Sequence, residues 1–218
     1  MMPSGRDRIC WTVCAALMAT LSSAAISAPC APELVGTNVA HATQVLPAFS
    51  GRAWGQVFAA PESLVRRITV WRAAEPDSNY DPMHLFLTKV DANGRPVLED
   101  LILDGPSRII PFGGAGQPVQ VDFTFDPPFV LPGTGSFFFA VKEDECTYVI
   151  AFLGDTLNPY SEGSAWRTEP WDLACEGVGC CPFGFQGNVD LAFEVEFCRT
   201  DSVPARRRSW GAVKSTYR

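Results

Sequence analysis

Histidine is nearly absent: His41 and His84 are the whole supply. That excludes a three-histidine zinc centre, and any Ser-His-Asp triad would have to use one of these two. Positive charge is in deficit. Lys and Arg number 17 against 24 Asp and Glu, a formal net charge of -7, which argues against a nucleic-acid partner for the chain as a whole. Charged residues of both signs reach only 19% beside 47% hydrophobic residues. Such a chain buries a core; it is neither disordered nor a coiled coil. Past residue 28 no apolar run has the length to cross a bilayer, Phe137 to Val141 being of strand length only. There is no Gly-x-Ser-x-Gly elbow. No glycine-rich phosphate loop leads into a helix, because Gly113 to Gly116 runs on to Pro118. No three-turn amphipathic helix is legible before residue 200, and no solenoid repeat.

What is present begins with an address. Arg6 and Arg8 precede an uncharged apolar run from Ile9 to Ala25, and small residues cluster from Ser22 to Ala28. This is the layout of a secretory signal peptide over residues 1–28, with an uncleaved anchor as the alternative. Pro29 directly before Cys30 argues against lipidation. Removal of the leader takes Cys10 and Cys14 with it and leaves six cysteines: Cys30, Cys146, Cys175, Cys180, Cys181 and Cys198. An even set in an exported chain reads as disulfides, with 15 possible connectivities. Cys30 with Cys198 is preferred, since the ends of a sandwich often meet. Cys175 with Cys180 or Cys181 would staple a local loop, and the adjacent pair is geometrically strained. A metal site at Cys175, Cys180 and Cys181 is the rival reading, disfavoured without a nearby histidine.

The body, residues 29–198, reads as strands punctuated by turns. Gly and Pro number 18 each. Strands are predicted at Ala53 to Phe58, Leu64 to Trp71, Met83 to Val90, Val97 to Leu103, Ser107 to Phe112, Val119 to Phe125, Ser136 to Lys142, Thr147 to Leu153 and Val189 to Phe197. Alternation is cleanest at Val119, Val121, Phe123 and Phe125, and at Val189, Leu191, Phe193, Val195 and Phe197. Asp91-Ala92-Asn93-Gly94 is a hairpin turn. Asp104-Gly105-Pro106 and Asp126-Pro127-Pro128 are expected to end strands. The pattern predicts an all-β fold, an antiparallel sandwich or barrel braced by disulfides. From Gly154 to Asn188 the alternation fails, and a long loop is expected, either functional or held by disulfides.

The order of these features resembles β-sandwich modules of exported bacterial proteins akin to galactose-binding or carbohydrate-binding jelly rolls. The residues that carry the likeness are Gln56-Val57-Phe58 with Ala60-Pro61, Ile68-Thr69-Val70, Asp91 to Gly94 with Pro96, and Leu103 to Pro106. They continue with Phe123 to Phe129, Leu131 and Gly133, Asn158-Pro159-Tyr160 with Gly163, and Asp190 to Phe193. The likeness covers residues 50–198. It narrows the fold to an antiparallel, jelly-roll-like sandwich braced by disulfides, and implies an exported setting and a lean toward glycan contact, in a group generally without assigned activity. Fold does not by itself fix function.

Catalytic candidates are sparse. His41 lies in a polar stretch and His84 at a strand start, and both read as structural or solvated. Glu99-Asp100 and Glu143-Asp144-Glu145 are adjacent acids. A glycosidase needs two carboxylates facing across a cleft, so a polysaccharide-active hydrolase is the third-placed reading. No cofactor is expected. Calcium has only weak support: Asp91 and Asn93 sit at calcium-like spacing without the further acids of an EF-hand loop, and no spacing demands that Asp155 or Asp190 join a site. Glycan contact needs exposed rings to stack on pyranose faces and polar groups to bond hydroxyls. Tyr160, Trp166, Arg167, Trp171 and Asp172 supply both within the irregular segment, and these are the expected ligand-binding residues.

The end of the chain, 199–218, is a basic tail with six cations (Arg199, Arg206, Arg207, Arg208, Lys214 and Arg218) and one acid, Asp201. Trp210, Val213 and Tyr217 would share one helical stripe. The tail reads as a sorting or attachment signal, as a contact with anionic surface polymer or lipid, or equally as a frayed basic end. The sequence thus predicts a secreted, periplasmic or surface-exposed, non-catalytic module that binds a glycan or surface polymer. The alternative is a structural or adhesive protein that binds a protein partner.

Overall fold

A computed structural model describes residues 30–48, 52–74, 82–109, 117–143, 150–157, 160–168 and 183–199. Residues 1–29, where a leader was expected, and residues 200–218 lie outside the described residues, as do Trp171, Asp172, Cys146, Cys175, Cys180 and Cys181. Thirteen strands are described: β1 Ala31–Gly36, β2 Gln44–Ala48, β3 Trp54–Ala60, β4 Leu64–Arg72, β5 Pro82–Val90, β6 Pro96–Ile109 and β7 Val119–Val130. The rest are β8 Gly135–Glu143, β9 Ile150–Asp155, β10 Ala165–Thr168, β11 Phe183–Phe185, β12 Asp190–Leu191 and β13 Phe193–Arg199, with one 3-10 turn at Val39–His41.

Two antiparallel sheets pack as a sandwich. One follows the order β1-β13-β4-β9-β12, with β2 added on β9 and β7 on β4; the other runs β11-β10-β3-β8-β5-β6. Alternation in sequence becomes alternation of faces. In β13, Phe193, Val195 and Phe197 are fully buried, while Glu194 faces outward to pair with Arg67 at 3.1 Å. Between the sheets Phe58 packs near Phe139 and Phe197, at centroid distances of 6.0 and 6.3 Å. Cys30 and Cys198 are bonded, joining the start of β1 to β13 across 168 residues of chain, as the sequence led us to prefer.

Two expected turns are absent. Asp104-Gly105-Pro106 does not end a strand; β6 runs through it with a shift of register. Likewise β7 continues past Asp126, whose bond to Pro127 is cis. Proline lacks a donor, but both strands have a side without a neighbour among the described pairings, where a missing amide costs little. The segment read as one long loop also holds two short strands, β10 and β11.

Candidate functional site

The six-stranded sheet carries an apolar cluster on part of its outer face as well as on its inner one. Ala53, Val57, Phe138, Ala140 and Trp166 form a second buried cluster there, with Val90 and Phe183 against it. Gly55 makes room for it. A Cβ at Gly55 would strike the Phe138 ring and the Phe139 carbonyl, so the ring lies over bare backbone. Trp166 is the cross-strand partner of Gly55 on one side and of Phe185 on the other. Its ring meets Phe185 edge to face at 5.5 Å, and Phe183 meets Phe138 likewise at 5.0 Å. The indole Nε1 donates to Ser164 Oγ at 3.0 Å, which fixes the ring.

Two adjoining hollows flank this aromatic edge, of about 440 and 500 Å³, and both are lined by Arg95, Trp166 and Phe185. The first adds Pro96, Leu98, Glu99 and Phe183. The second adds Asn93, Ser136, Glu162 and Ser164 among its walls. Phe185 is 58% exposed, an open ring beside charged and hydroxyl groups. The β5–β6 turn sets the rim. Asp91 Oδ1 accepts from the amides of Asn93 and Arg95 at 2.8 and 2.9 Å, and Gly94 takes φ of 75°. The amide bonds, that of Arg95 foremost, hold the Asp91 carboxyl below its ordinary pKa. In this structure the carboxylate serves the turn that carries Arg95.

The expected ligand residues divide. Trp166 lines both hollows, though it is mostly buried. Arg167, next in sequence, points to the opposite face, with its guanidinium 5.5 Å from the centre of the Trp54 ring. Tyr160 corrects the expectation of an exposed ring: it is 6% exposed and stands edge to face on Phe193 at 5.1 Å. Its hydroxyl accepts from the Ala59 amide at 2.8 Å, so the one polar atom is satisfied and the ring serves the core. Burial raises its pKa above the ordinary tyrosine value. Sequence reasoning missed Arg95, Glu162 and Phe185, and weighed Glu99 only as a catalytic acid beside Asp100, not as a wall of a groove. Arg95 follows the hairpin turn and Phe183-Gly-Phe185 alternates, and those were the available signals.

Behind the groove lies a buried polar knot. Asp190 is fully buried; its Oδ1 accepts from Gln56 Nε2 at 2.8 Å and its Oδ2 from the Tyr160 amide at 3.4 Å. Gln56 Oε1 accepts from the Leu191 amide at 3.0 Å, so one glutamine ties the two sheets together. Burial first, and Asp155 opposite it on β9, raise the Asp190 pKa. A raised carboxyl pKa makes the folded state hold a proton that the unfolded chain has released. This contribution is fully present below the unfolded value and is lost as pH rises to the folded value. We expect the stability advantage of wild type over Asp190→Asn to shrink as pH rises from the ordinary carboxylate range. Urea midpoints of both proteins across acid to neutral pH check this; parallel curves would contradict it.

A third cluster lies on the same outer face, toward the other edge. His84 Nε2 donates to Asp104 Oδ1 at 2.7 Å, and Ser107 Oγ lies 3.3 Å from His84 Nδ1. The imidazole stacks on Phe86 at 4.4 Å, nearly parallel at 8°.

No family model matches the chain, and no curated protein matches it. Among solved structures it is similar to the clostridial cysteine protease Cwp84 after propeptide cleavage. That likeness has 10% identity and a TM-score of 0.44, over 77% of this chain and 40% of that one. It is also similar to a structure of the cysteine protease and lectin-like domains of Cwp84, a surface layer associated protein of Clostridium difficile. There the identity is 10% and the TM-score 0.42, over 70% of this chain and 34% of that one. The chain thus spans well under half the length of either structure.

Proposed function

We propose that the chain is an exported binding module that holds a glycan in the groove around Arg95, Trp166 and Phe185. The observation that carries this reading is the pair of hollows sharing an open aromatic edge and a guanidinium. An aromatic face stacks on the apolar face of a pyranose, while Arg95, Asn93, Glu99 and Glu162 are of the types that bond ring hydroxyls. The site stands on strands and a tight turn of a rigid sheet, which reduces the ordering cost of binding. Export is supported by the leader-like residues 1–28 and by a disulfide, which persists in oxidising compartments. No helix among the described residues is long and apolar enough to cross a membrane.

The test is a polysaccharide and glycan array with the disulfide-intact protein, then titration of the ligand found. Phe185→Ala and Arg95→Ala, at positions outside the buried apolar clusters, are each expected to weaken binding at least tenfold, about 1.4 kcal/mol, with an unchanged circular dichroism spectrum. Trp166→Ala is expected to abolish binding and also to lower stability. Silence across the array, or full affinity in Phe185→Ala and Arg95→Ala, would overturn the reading.

A further inference from the structure

Residues 104 and 107 should not share a face. In a regular strand, positions three apart point to opposite sides. Here β6 carries one residue more than β5 between two pairings: His84 pairs with Ser107, Phe86 pairs with Asp104, and the register shifts between them. Leu85 alone faces Gly105 and Pro106. That extra residue restores parity and brings both Asp104 and Ser107 to the side of His84. Bulges of this kind re-aim side chains and are frequent beside active sites. Gly105 permits it, because a Cβ there would come within 2.7 Å of the Leu85 carbonyl oxygen.

We propose that Ser107, His84 and Asp104 form an acyl-transfer site, for which the substrates are esters of small carboxylic acids with alcohols. Asp104 is the positioning residue. It accepts the Nε2 proton at 2.7 Å and so holds the tautomer whose bare Nδ1 faces Ser107 Oγ. The stack on Phe86 fixes the ring plane. In the first half-reaction the Ser107 hydroxyl oxygen attacks the ester carbonyl and its proton passes to Nδ1. The C–O bond to the alcohol breaks, and the alcohol leaves with that proton. In the second, water attacks the acyl-serine, gives its proton to Nδ1, and the acid departs as Ser107 regains the proton. The 3.3 Å separation is the looser geometry usual without substrate. Lys142, the cross-strand partner of His84 on β8, is a cation that the register places on this face beside the imidazole. The site is open, with the Asp104 side chain 65% exposed, which suits esters carried on large molecules. Glycan esters fall within the class, since Trp166 lies on the same face, three strands from His84 and four from Ser107, about 14 and 19 Å. The site does not depend on the groove being occupied.

The experiment uses the disulfide-intact protein, a fluorophosphonate probe and p-nitrophenyl acetate. Attack by Ser107 on the probe forms a P–O bond and expels fluoride, so the expected product is one phosphonyl group mapped by mass spectrometry to Ser107. Ester hydrolysis is expected to fall about a hundredfold in Ser107→Ala and in His84→Gln, with unchanged circular dichroism. Asp104→Asn is expected to slow the reaction and to erase the fixed-tautomer signature in the imidazole nitrogen-15 spectrum. Absence of label on Ser107 at saturating probe, or equal hydrolysis by wild type and Ser107→Ala, would overturn the proposal. An unchanged tautomer in Asp104→Asn would overturn the role of Asp104.

Discussion

Gly163→Ala is expected to destabilise the protein by about 3 kcal/mol and to damage the groove with it. A Cβ at Gly163 would strike the Val57 carbonyl oxygen, lie 2.7 Å from its carbon, and press the Tyr160 ring at 3.0 Å. The obstacle is backbone, so rotamer changes cannot relieve it. The chain would have to move away from β3. That strains the bond from the Val57 amide to the Ser164 carbonyl, 2.9 Å long, and the pairing of Trp166 with Gly55 beyond it. Gly163 and Ser164 line the second hollow, so loss of stability and loss of ligand should come together. Gly133→Ala is the control: nothing lies within 4 Å of a Cβ there, and no change is expected. Denaturant midpoints check both. An unshifted midpoint for Gly163→Ala would mean that β3 and the Gly163 backbone are further apart than described.

Loss of the Cys30–Cys198 bond is expected to cost about 2–5 kcal/mol, as judged by urea midpoints of the Cys30→Ser, Cys198→Ser double variant. The bond closes nearly the whole described chain, and long loops restrict the unfolded state most. The effect should fall short of full unfolding. β1 and β13 remain paired over six positions from Ala31 to Gly36, and Arg199 keeps its ion pair with Glu33 at 3.4 Å. A double variant as stable as wild type would contradict the account of the chain ends. Unfolding of the double variant at ordinary temperature would show the core to be weaker than its buried phenylalanines imply.

Strands with a clean period of two were legible, β13 and the first half of β7 above all, because one face is core and the other solvent. The outer cluster was not. Val57, Phe138 and Trp166 are buried on the face that alternation assigns to water, and a sheet buried on both faces loses its period. The disulfide was legible from the meeting of ends. Tyr160 was misjudged because a ring with a polar tip looks the same in sequence whether the tip finds water or the Ala59 amide. The groove needed Arg95, from a hairpin turn, beside Phe185, 90 residues later, and no local spacing joins them. Asp104 and Ser107 were hidden by parity. Read as a turn, Asp104-Gly105-Pro106 separates two strands; as a bulge, it sets two polar side chains around His84.

The most direct measurement is nuclear magnetic resonance of the nitrogen-15 labelled protein, titrated with the oligosaccharide that the array selects. The indole N–H of Trp166 and the amides of Arg95 and Phe185 are predicted to shift together and to saturate at one affinity, while β1 and β7 stay unmoved. Saturable shifts confined to the seven-stranded sheet, with the signals of Trp166, Arg95 and Phe185 unchanged, would contradict the account.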